Sequence, residues 1–170
     1  LLSRRQRQMC IRDRILKSPL MMELKQMIEH SGISCSGIIV ELTESGYLEG
    51  TPAVRSVWND MKQLRIQIAL DDFGTGYSNL MNISNLEPDI VKLDRGFTLK
   101  ALSRSYEYQL MQYVIEMVHK LNQYVCVEGV ETKEDLEKIK ALGPDLIQGY
   151  YYSKPCSRDE FLKKFFGYSE

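Results

Sequence analysis

Short apolar runs alternate along most of the chain with longer segments of helical periodicity. Five runs rich in aliphatic and β-branched residues predict buried strands at 38–42, 66–70, 89–93, 124–128 and 146–148. Apolar positions three and four apart predict helices at 18–32, from Thr51 to about 64, near 78–86, at 104–121, at 133–142 and after Ser157. This alternation of strands and helices predicts βαβ units and a parallel sheet.

The longest predicted helix, at 104–121, should bury one stripe of apolar side chains, formed by Leu110, Val114, Met117, Val118 and Leu121. The pattern alone leaves two architectures open. One is an open, doubly wound sheet, and the other is a (β/α)8 barrel.

Polar residues at the ends of the predicted strands favour the barrel. Each strand carries one at or near its carboxyl end: Glu41, the pair Asp71 and Asp72, Lys92, Glu128 and Gln148. Because parallel strands end at the same edge of a sheet, we expect these side chains to converge. An open sheet would concentrate its site at one switch point, whereas a barrel draws site residues from several strand ends. The fold class we predict is therefore α/β, a TIM-like barrel.

Composition and charge narrow the class of protein. The chain has 170 residues, 44% of them hydrophobic, and a formal net charge of −1. Such a balance is untypical of proteins that bind nucleic acid polymers. No apolar run has the roughly 18 residues that a membrane span needs, which predicts no membrane contact in this segment. Four scattered cysteines without a C-x-x-C pair predict reduced thiols and a cytoplasmic location, with an upstream membrane anchor left open.

Several carboxylates that share one edge with a lysine indicate a metal centre. Carboxylates this close cannot all ionise without counter-charge, and oxygen ligands suit Mg²⁺ or Mn²⁺. His30 and His119 fall on predicted helices, away from this edge, which disfavours zinc. The adjacent Asp71 and Asp72 could bridge two ions, as in enzymes that displace phosphoryl groups. The residues thus indicate metal-assisted phosphodiester hydrolysis, while an enolase-like barrel with Lys92 as a base is a more remote alternative.

Five motifs in order resemble those of the EAL domain family, over about residues 18–166. They are ELTES at 41–45, DDFGTGYS at 71–78, KLD at 92–94 followed by Phe97, EGVE at 128–131, and QGY at 148–150 followed by Lys154-Pro155. The resemblance implies a TIM-like barrel that uses two Mg²⁺ or Mn²⁺ ions to open cyclic di-GMP to linear pGpG in bacterial signal transduction. It also implies a cyclic di-GMP partner, a homodimer, and upstream sensory or cyclase domains.

The resemblance assigns a role to each matching position. Glu41, Asp71, Asp72 and Glu128 would be metal ligands, with Glu128 and Lys92 also serving catalysis. Gln148 and Thr43 would bind or orient the substrate. The residues that would support the site and its glycine-rich loop are Glu44, Gly74, Thr75, Gly76, Asp94 and Glu131.

The front of the chain departs from the family pattern. The Glu-Ala-Leu motif and an Asn ligand on the second barrel strand are both missing. We therefore interpret 18–170 as the C-terminal part of an EAL-type phosphodiesterase domain, with about five of eight strands. The parent domain is predicted to be active and this chain inactive. A non-catalytic module that binds cyclic di-GMP or a protein is the alternative.

Residues 1–17 differ from the rest of the chain. They carry five Arg and one Lys against a single Asp, and they show no regular hydrophobic period. The string RQRQMCIRDR resembles translated adapter sequence, so we expect this irregular basic segment to be non-native; a solvated basic arm is the alternative. We assign no function to it.

Overall fold

The described part of the chain is built around one parallel β-sheet. The computed structural model describes residues 26–28, 30–43, 52–75, 83 and 87–167, with backbone alone for 52–55. The strands in these residues are β1 (Ile39–Thr43), β2 (Gln67–Phe73), β3 (Ile90–Leu93), β4 (Tyr124–Glu128) and β5 (Leu146–Gln148). Each overlaps a predicted strand. β2 runs three residues beyond its predicted end and includes both aspartates.

The strands follow one another across the sheet in chain order. Each pairs with the next in parallel, in the order β1-β2-β3-β4-β5. A doubly wound sheet would reverse its strand order at a switch point, whereas a barrel adds each strand beside the previous one. The sequential order confirms the predicted fold class, an incomplete α/β barrel.

Helices connect the strands. They are α1 (Pro52–Gln63), α2 (Arg95–Ser103), α3 (Ser105–Lys120), α4 (Lys133–Lys140) and α5 (Arg158–Phe166). Capping boxes begin the last two, from Thr132 in α4 and from Ser157 in α5. The described residues of the predicted first helix are helical at 26–28 and 30–31. The predicted helix near 78–86 lies outside the described residues except for Ile83.

The prediction of one helix at 104–121 missed α2. The chain turns at Arg104, whose extended backbone (φ −139°, ψ 129°) separates α2 from α3. In the last turn of α2, the Ser103 hydroxyl donates to the carbonyls of Leu99 and Lys100 at 2.9 and 3.1 Å. No Gly or Pro marks this break in the sequence, so hydrophobic periodicity alone predicted a single helix.

The predicted stripe of α3 was also wrong in part. Leu110 and Leu121 are 42% and 47% exposed, and the buried positions are Met111, Ile115 and Val118. Both sets repeat every three or four residues, so periodicity does not distinguish them.

The two faces of the sheet have different packing. One face packs against the helices, and its alternating strand residues form the main core: Val40, Leu42, Ile68, Leu70, Val91, Leu93, Val125, Val127 and Ile147. The other face carries a small cluster of Ala69, Ile90 and Cys126. Because side chains alternate along a strand, the residues two positions after this cluster, Asp71, Lys92 and Glu128, lie on the same second face.

Two aspartates stabilise the amino end of the sheet. Asp89 N–H donates to Ile68 O at 2.9 Å, and Asp89 Oδ2 accepts from Ile68 N–H at 2.8 Å. Asp145 makes the same pair with Val125, at 3.1 and 2.8 Å. Each aspartate precedes a strand and closes a ring with the backbone of a neighbouring strand. We call Asp89 and Asp145 the strand braces.

No helix in the described residues combines the length and the apolar character required to cross a bilayer.

Candidate active site

The carboxyl ends of the strands form one side of a cavity of about 770 Å³. Its lining includes eight of the residues that sequence analysis singled out: Glu41, Asp71, Asp72, Lys92, Asp94, Glu128, Glu131 and Gln148. Arg95, Gly96, Leu99, Gly129, Gly149 and Tyr150 complete the lining. The structure thus brings together the strand-end groups that the sequence distributes over more than a hundred residues.

Lys92 lies at the centre of this group. Its Nζ is 2.7 Å from Glu128 Oε1, 2.8 Å from Glu41 Oε1 and 3.0 Å from Asp71 Oδ1. We call Glu41, Asp71 and Glu128 the carboxylate cage. The Lys92 side chain is only 6% exposed, so it depends on these three groups for the interactions that it loses with water.

A β-bulge brings both aspartates into the cavity. Leu70 pairs with Val91 and Phe73 pairs with Leu93, so Asp71 and Asp72 together lie opposite Lys92. Asp72 has a φ of 61°, in the left-handed region that Asp tolerates better than most residues. On a regular strand, adjacent side chains point to opposite faces. The extra residue removes that restriction, and both Asp71 and Asp72 line the cavity.

The electrostatics of the cage favour a charged lysine and a more basic glutamate. Burial works against the Lys92 charge, but pairing with the three carboxylates raises its pKa well above the ordinary value. Burial raises the pKa of the Glu128 carboxyl, and the charges of Asp71 and Glu41 add to this against the opposing effect of Lys92. Glu128 is therefore a better proton acceptor than an exposed glutamate.

The chemistry of the cage suits a hard divalent cation. All its donors are carboxylate oxygens, and the buried Asp71 Oδ1 is 3.0 Å from Lys92 Nζ. Among the described residues, no group of three or more His, Cys, Asp or Glu side chains has an arrangement ready to hold a metal ion. The donor types fit a metal, while their present spacing accommodates the lysine.

Sequence reasoning missed Arg95, which lies at the mouth of the cavity. Its Nε and Nη2 donate to Glu131 Oε1 at 3.2 and 2.7 Å. The side chain passes over Gly129, where an added Cβ would lie 2.3 Å from Arg95 Cγ. The KLDR string contained Arg95, but only the structure shows that it reaches the EGVE segment.

Gly149 allows Gln148 to reach the cavity. An added Cβ at Gly149 would lie 2.0 Å from the carbonyl oxygen of Val130, and Val130 N–H donates to Gln148 O at 3.3 Å. Because the clash would involve backbone, a larger residue here would displace one of the two strand ends. Tyr150, which sequence analysis noted only as part of a motif, lines the cavity beside them.

The predicted supporting residues surround the bulge. Thr75 Oγ1 donates to Asp72 O at 3.1 Å, and Asp94 caps α2 by accepting from Gly96 N–H at 2.7 Å. Gly74 has a φ of 100° and packs on Phe97, where a Cβ would come within 2.8 Å of the ring. Thr43 pairs with Asp71 across the sheet but is not among the cavity-lining residues. Glu44 and Gly76 lie outside the described residues.

The sequence profile of the EAL domain family matches residues 8–155. The chain belongs to the EAL domain family. Cyclic di-GMP phosphodiesterase NbdA of Pseudomonas aeruginosa is 28% identical over 159 residues, which are 92% of this chain and 20% of NbdA. The chain spans about a fifth of that relative's length.

Solved EAL structures share the fold. The cAMP- and cyclic-di-GMP-bound form of the EAL enzyme Bd1971 superposes with a TM-score of 0.83 at 29% identity, over 89% of this chain and 40% of the other. The manganese and cyclic-di-GMP complex of Klebsiella pneumoniae BlrP1 gives 0.78 at 26% identity, over 84% and 36%. The EAL fold therefore extends over most of this chain, in agreement with the predicted incomplete barrel.

Proposed function

We propose that the chain is part of a phosphodiesterase domain that hydrolyses cyclic di-GMP to linear pGpG. The observation that carries the proposal is the convergence of Glu41, Asp71 and Glu128 on one buried lysine, in a cavity that also contains Asp72. Its support from relatives is that NbdA is named a cyclic di-GMP phosphodiesterase and that Bd1971 and BlrP1 were solved with this nucleotide.

The proposed cofactor is a pair of Mg²⁺ or Mn²⁺ ions. The described residues that line the cavity include six carboxylates and two cationic side chains, for a formal charge of −4. Two divalent ions would balance that charge, and the BlrP1 complex contains manganese. Glu41, Asp71, Asp72 and Glu128 would hold them. When bound, such ions stabilise charge on the attacking and leaving oxygens of a phosphodiester.

Glu128, Lys92 and Gln148 would act on the attacking water and on the substrate. Glu128 Oε would accept a proton from the attacking water. Lys92 Nζ would donate hydrogen bonds to that water or to a phosphate oxygen. The Gln148 amide at the end of β5 pairs across the sheet with Glu128 and would orient the substrate.

The remaining assignments concern support of the site. We assign Thr43 to substrate orientation at the end of β1, and Gly74 and Thr75 to the loop that follows the bulge. Asp94 and Glu131 would hold the mouth of the cavity. Glu44 and Gly76 keep the roles that the family resemblance gives them.

The domain assignment is part of the same proposal. Residues 18–170 would be the C-terminal part of the domain. The non-native origin of residues 1–17 stays a prediction, and the family profile overlaps this segment from residue 8. Because two metal ligands of the family pattern are missing, we expect this chain to be inactive and its parent domain active. A homodimer, upstream sensory or cyclase domains and a cytoplasmic location complete the proposal.

The test compares two proteins. The 170-residue chain and the complete domain, as read from the genomic locus, are incubated with cyclic di-GMP and Mg²⁺ or Mn²⁺, and pGpG is quantified by chromatography. We expect pGpG from the complete domain, no turnover by the chain, and no product from either protein in EDTA. Absence of pGpG from the complete domain with both metals would refute the phosphodiesterase assignment.

A non-catalytic binding module is the second candidate. Its support is the lysine-filled cage, which contains no arrangement ready for a metal among the described residues. Calorimetry with cyclic di-GMP distinguishes the two. Binding by the complete domain without any pGpG would favour the module.

A further inference from the structure

The Lys92 ammonium lies where the three cage carboxylates converge. Its distances to Glu41, Asp71 and Glu128 oxygens span 2.7–3.0 Å, and the residue as a whole is 5% exposed. A metal ion that used these ligands would need the same oxygens. The lysine and the metal would therefore compete for one set of partners.

We infer that Lys92 holds the carboxylate cage together without metal, and that a divalent cation enters by displacing the ammonium from at least one cage carboxylate. The inference rests on the proposed metal-dependent function and deepens it. It states that a metal ion binds to the site by replacing the Lys92 ammonium.

The distances support an exchange over simple addition. Mg²⁺–oxygen bonds are about 2.0–2.1 Å, so for an ion in the place of Nζ the cage oxygens would have to move inward by about 0.6–1.0 Å from where the ammonium holds them. Such a contraction leaves no space for Nζ between the same oxygens. A bound cation would also repel an ammonium that kept its present contacts.

If the exchange occurs, replacing Lys92 with a neutral residue should lower the melting temperature without metal and raise the affinity for metal. Without metal, three carboxylates would face one another in a partly buried site, so the chain should melt at a lower temperature. With the competing cation gone, metal should bind more tightly. A lysine that only packs against its neighbours would produce the first change without the second.

The experiment measures Mn²⁺ binding to the 170-residue chain by calorimetry, for wild type and Lys92→Met. Arg95→Met is the matched control, because Arg95 lines the same cavity but pairs with Glu131 outside the cage. We expect Lys92→Met to bind Mn²⁺ at least about tenfold more tightly than wild type. The repulsion between a monovalent and a divalent cation about 4 Å apart exceeds that factor even in water.

Arg95→Met should change the affinity by less than about threefold, since its charge is already balanced by Glu131 and screened at the cavity mouth. Melting in EDTA should show the lower stability of Lys92→Met, and Mn²⁺ should raise its melting temperature more than that of wild type. An Mn²⁺ affinity of Lys92→Met that is unchanged, weaker or undetectable would overturn the inference. Failure of the complete domain to yield pGpG would instead refute the proposed function.

A measurement on the wild-type chain covers the case in which Lys92→Met does not fold. With ¹⁵N-labelled lysine, the Lys92 ammonium resonance is assigned by comparison with Lys92→Arg and followed during a Mg²⁺ titration. We expect it to shift or broaden, while the Lys62 signal, from a lysine paired with Glu87 at 3.6 Å, stays in place. A Lys92 signal that is unmoved at saturating Mg²⁺ would contradict the exchange.

Discussion

The two ends of the β-sheet use the same acidic residues in opposite ways. At the amino end, the strand braces Asp89 and Asp145 accept backbone N–H groups at 2.8 Å. At the carboxyl end, Glu41, Asp71 and Glu128 share one lysine at 2.7–3.0 Å. The braces have backbone partners that the fold supplies, whereas the cage has more negative charge than its partner balances.

The comparison teaches how to distinguish a structural carboxylate from a functional one. A carboxylate whose oxygens accept backbone N–H groups stabilises the fold, because its loss leaves buried donors unpaired. A carboxylate that crowds others around one cation costs stability and is available to a ligand. The next four predictions test this division.

The largest effect is expected for Asp71→Asn. In the complete domain, pGpG production should fall by more than about 100-fold. Mutating a residue that only supports a metal ligand costs up to about 100-fold, and Asp71 would bind the metal directly. In the 170-residue chain, the melting temperature in EDTA should be unchanged or higher, since one of three crowded charges is removed. A clear loss of stability with retained turnover would contradict the division of roles.

Removal of a strand brace should have the reverse effect. Asp145→Ala leaves the Val125 N–H without its partner and also removes a 2.9 Å contact with His119. We expect a loss of about 1–3 kcal/mol in the free energy of unfolding, measured with urea. Asp159→Ala, at a side chain that is 83% exposed, serves as the control and should change little.

The contribution of the same brace should disappear in acid. Burial opposes ionisation of Asp145, but the Val125 N–H and His119 lower the pKa of its carboxyl below the ordinary value. The folded chain therefore binds fewer protons than the unfolded chain near pH 4, and the stabilisation is fully present above about pH 4. The difference in unfolding free energy between wild type and Asp145→Asn should shrink as pH falls below that value. A difference that grows in acid would contradict the sign.

The smallest effect is expected for an exposed ion pair at the amino end. Lys62 and Glu87 are 3.6 Å apart, and Glu87 is 78% exposed. Lys62→Met should change the free energy of unfolding by no more than about 1 kcal/mol, because water and salt screen such pairs. Parallel urea titrations of Lys62→Met and Lys92→Met compare an exposed with a buried lysine. Equal losses of unfolding free energy in the two variants would show that burial of Lys92 among the cage carboxylates adds nothing to stability.

Much of the fold could be predicted from the sequence because local pattern and global architecture agree. The β4 and β5 bounds follow from apolar runs that end in a polar residue, and the caps at Thr132 and Ser157 mark where α4 and α5 begin. The break at Arg104 could not be predicted, because the extended backbone there ends α2 without a Gly or Pro to mark it.

The candidate site was predictable in its residue types but not in its geometry. Strand-end charges indicate a shared edge, yet the alternation of side chains would separate Asp71 from Asp72. The bulge that reunites them depends on pairing with β3, a contact between distant parts of the chain. Likewise, the two Pro-Asp steps that contain Asp89 and Asp145 are visible in the sequence, but their bonds to neighbouring strands are not.

The bulge in β2 also offers a way to inactivate the site without changing a side-chain type. Deleting one residue between Leu70 and Phe73 would restore a regular ladder with β3, and the single aspartate left would follow the normal alternation. The ladder would gain regularity while the cavity lost one carboxylate. An extra residue in a strand can thus place two adjacent carboxylates in one cavity, which a substitution in a regular strand of fixed length would not do.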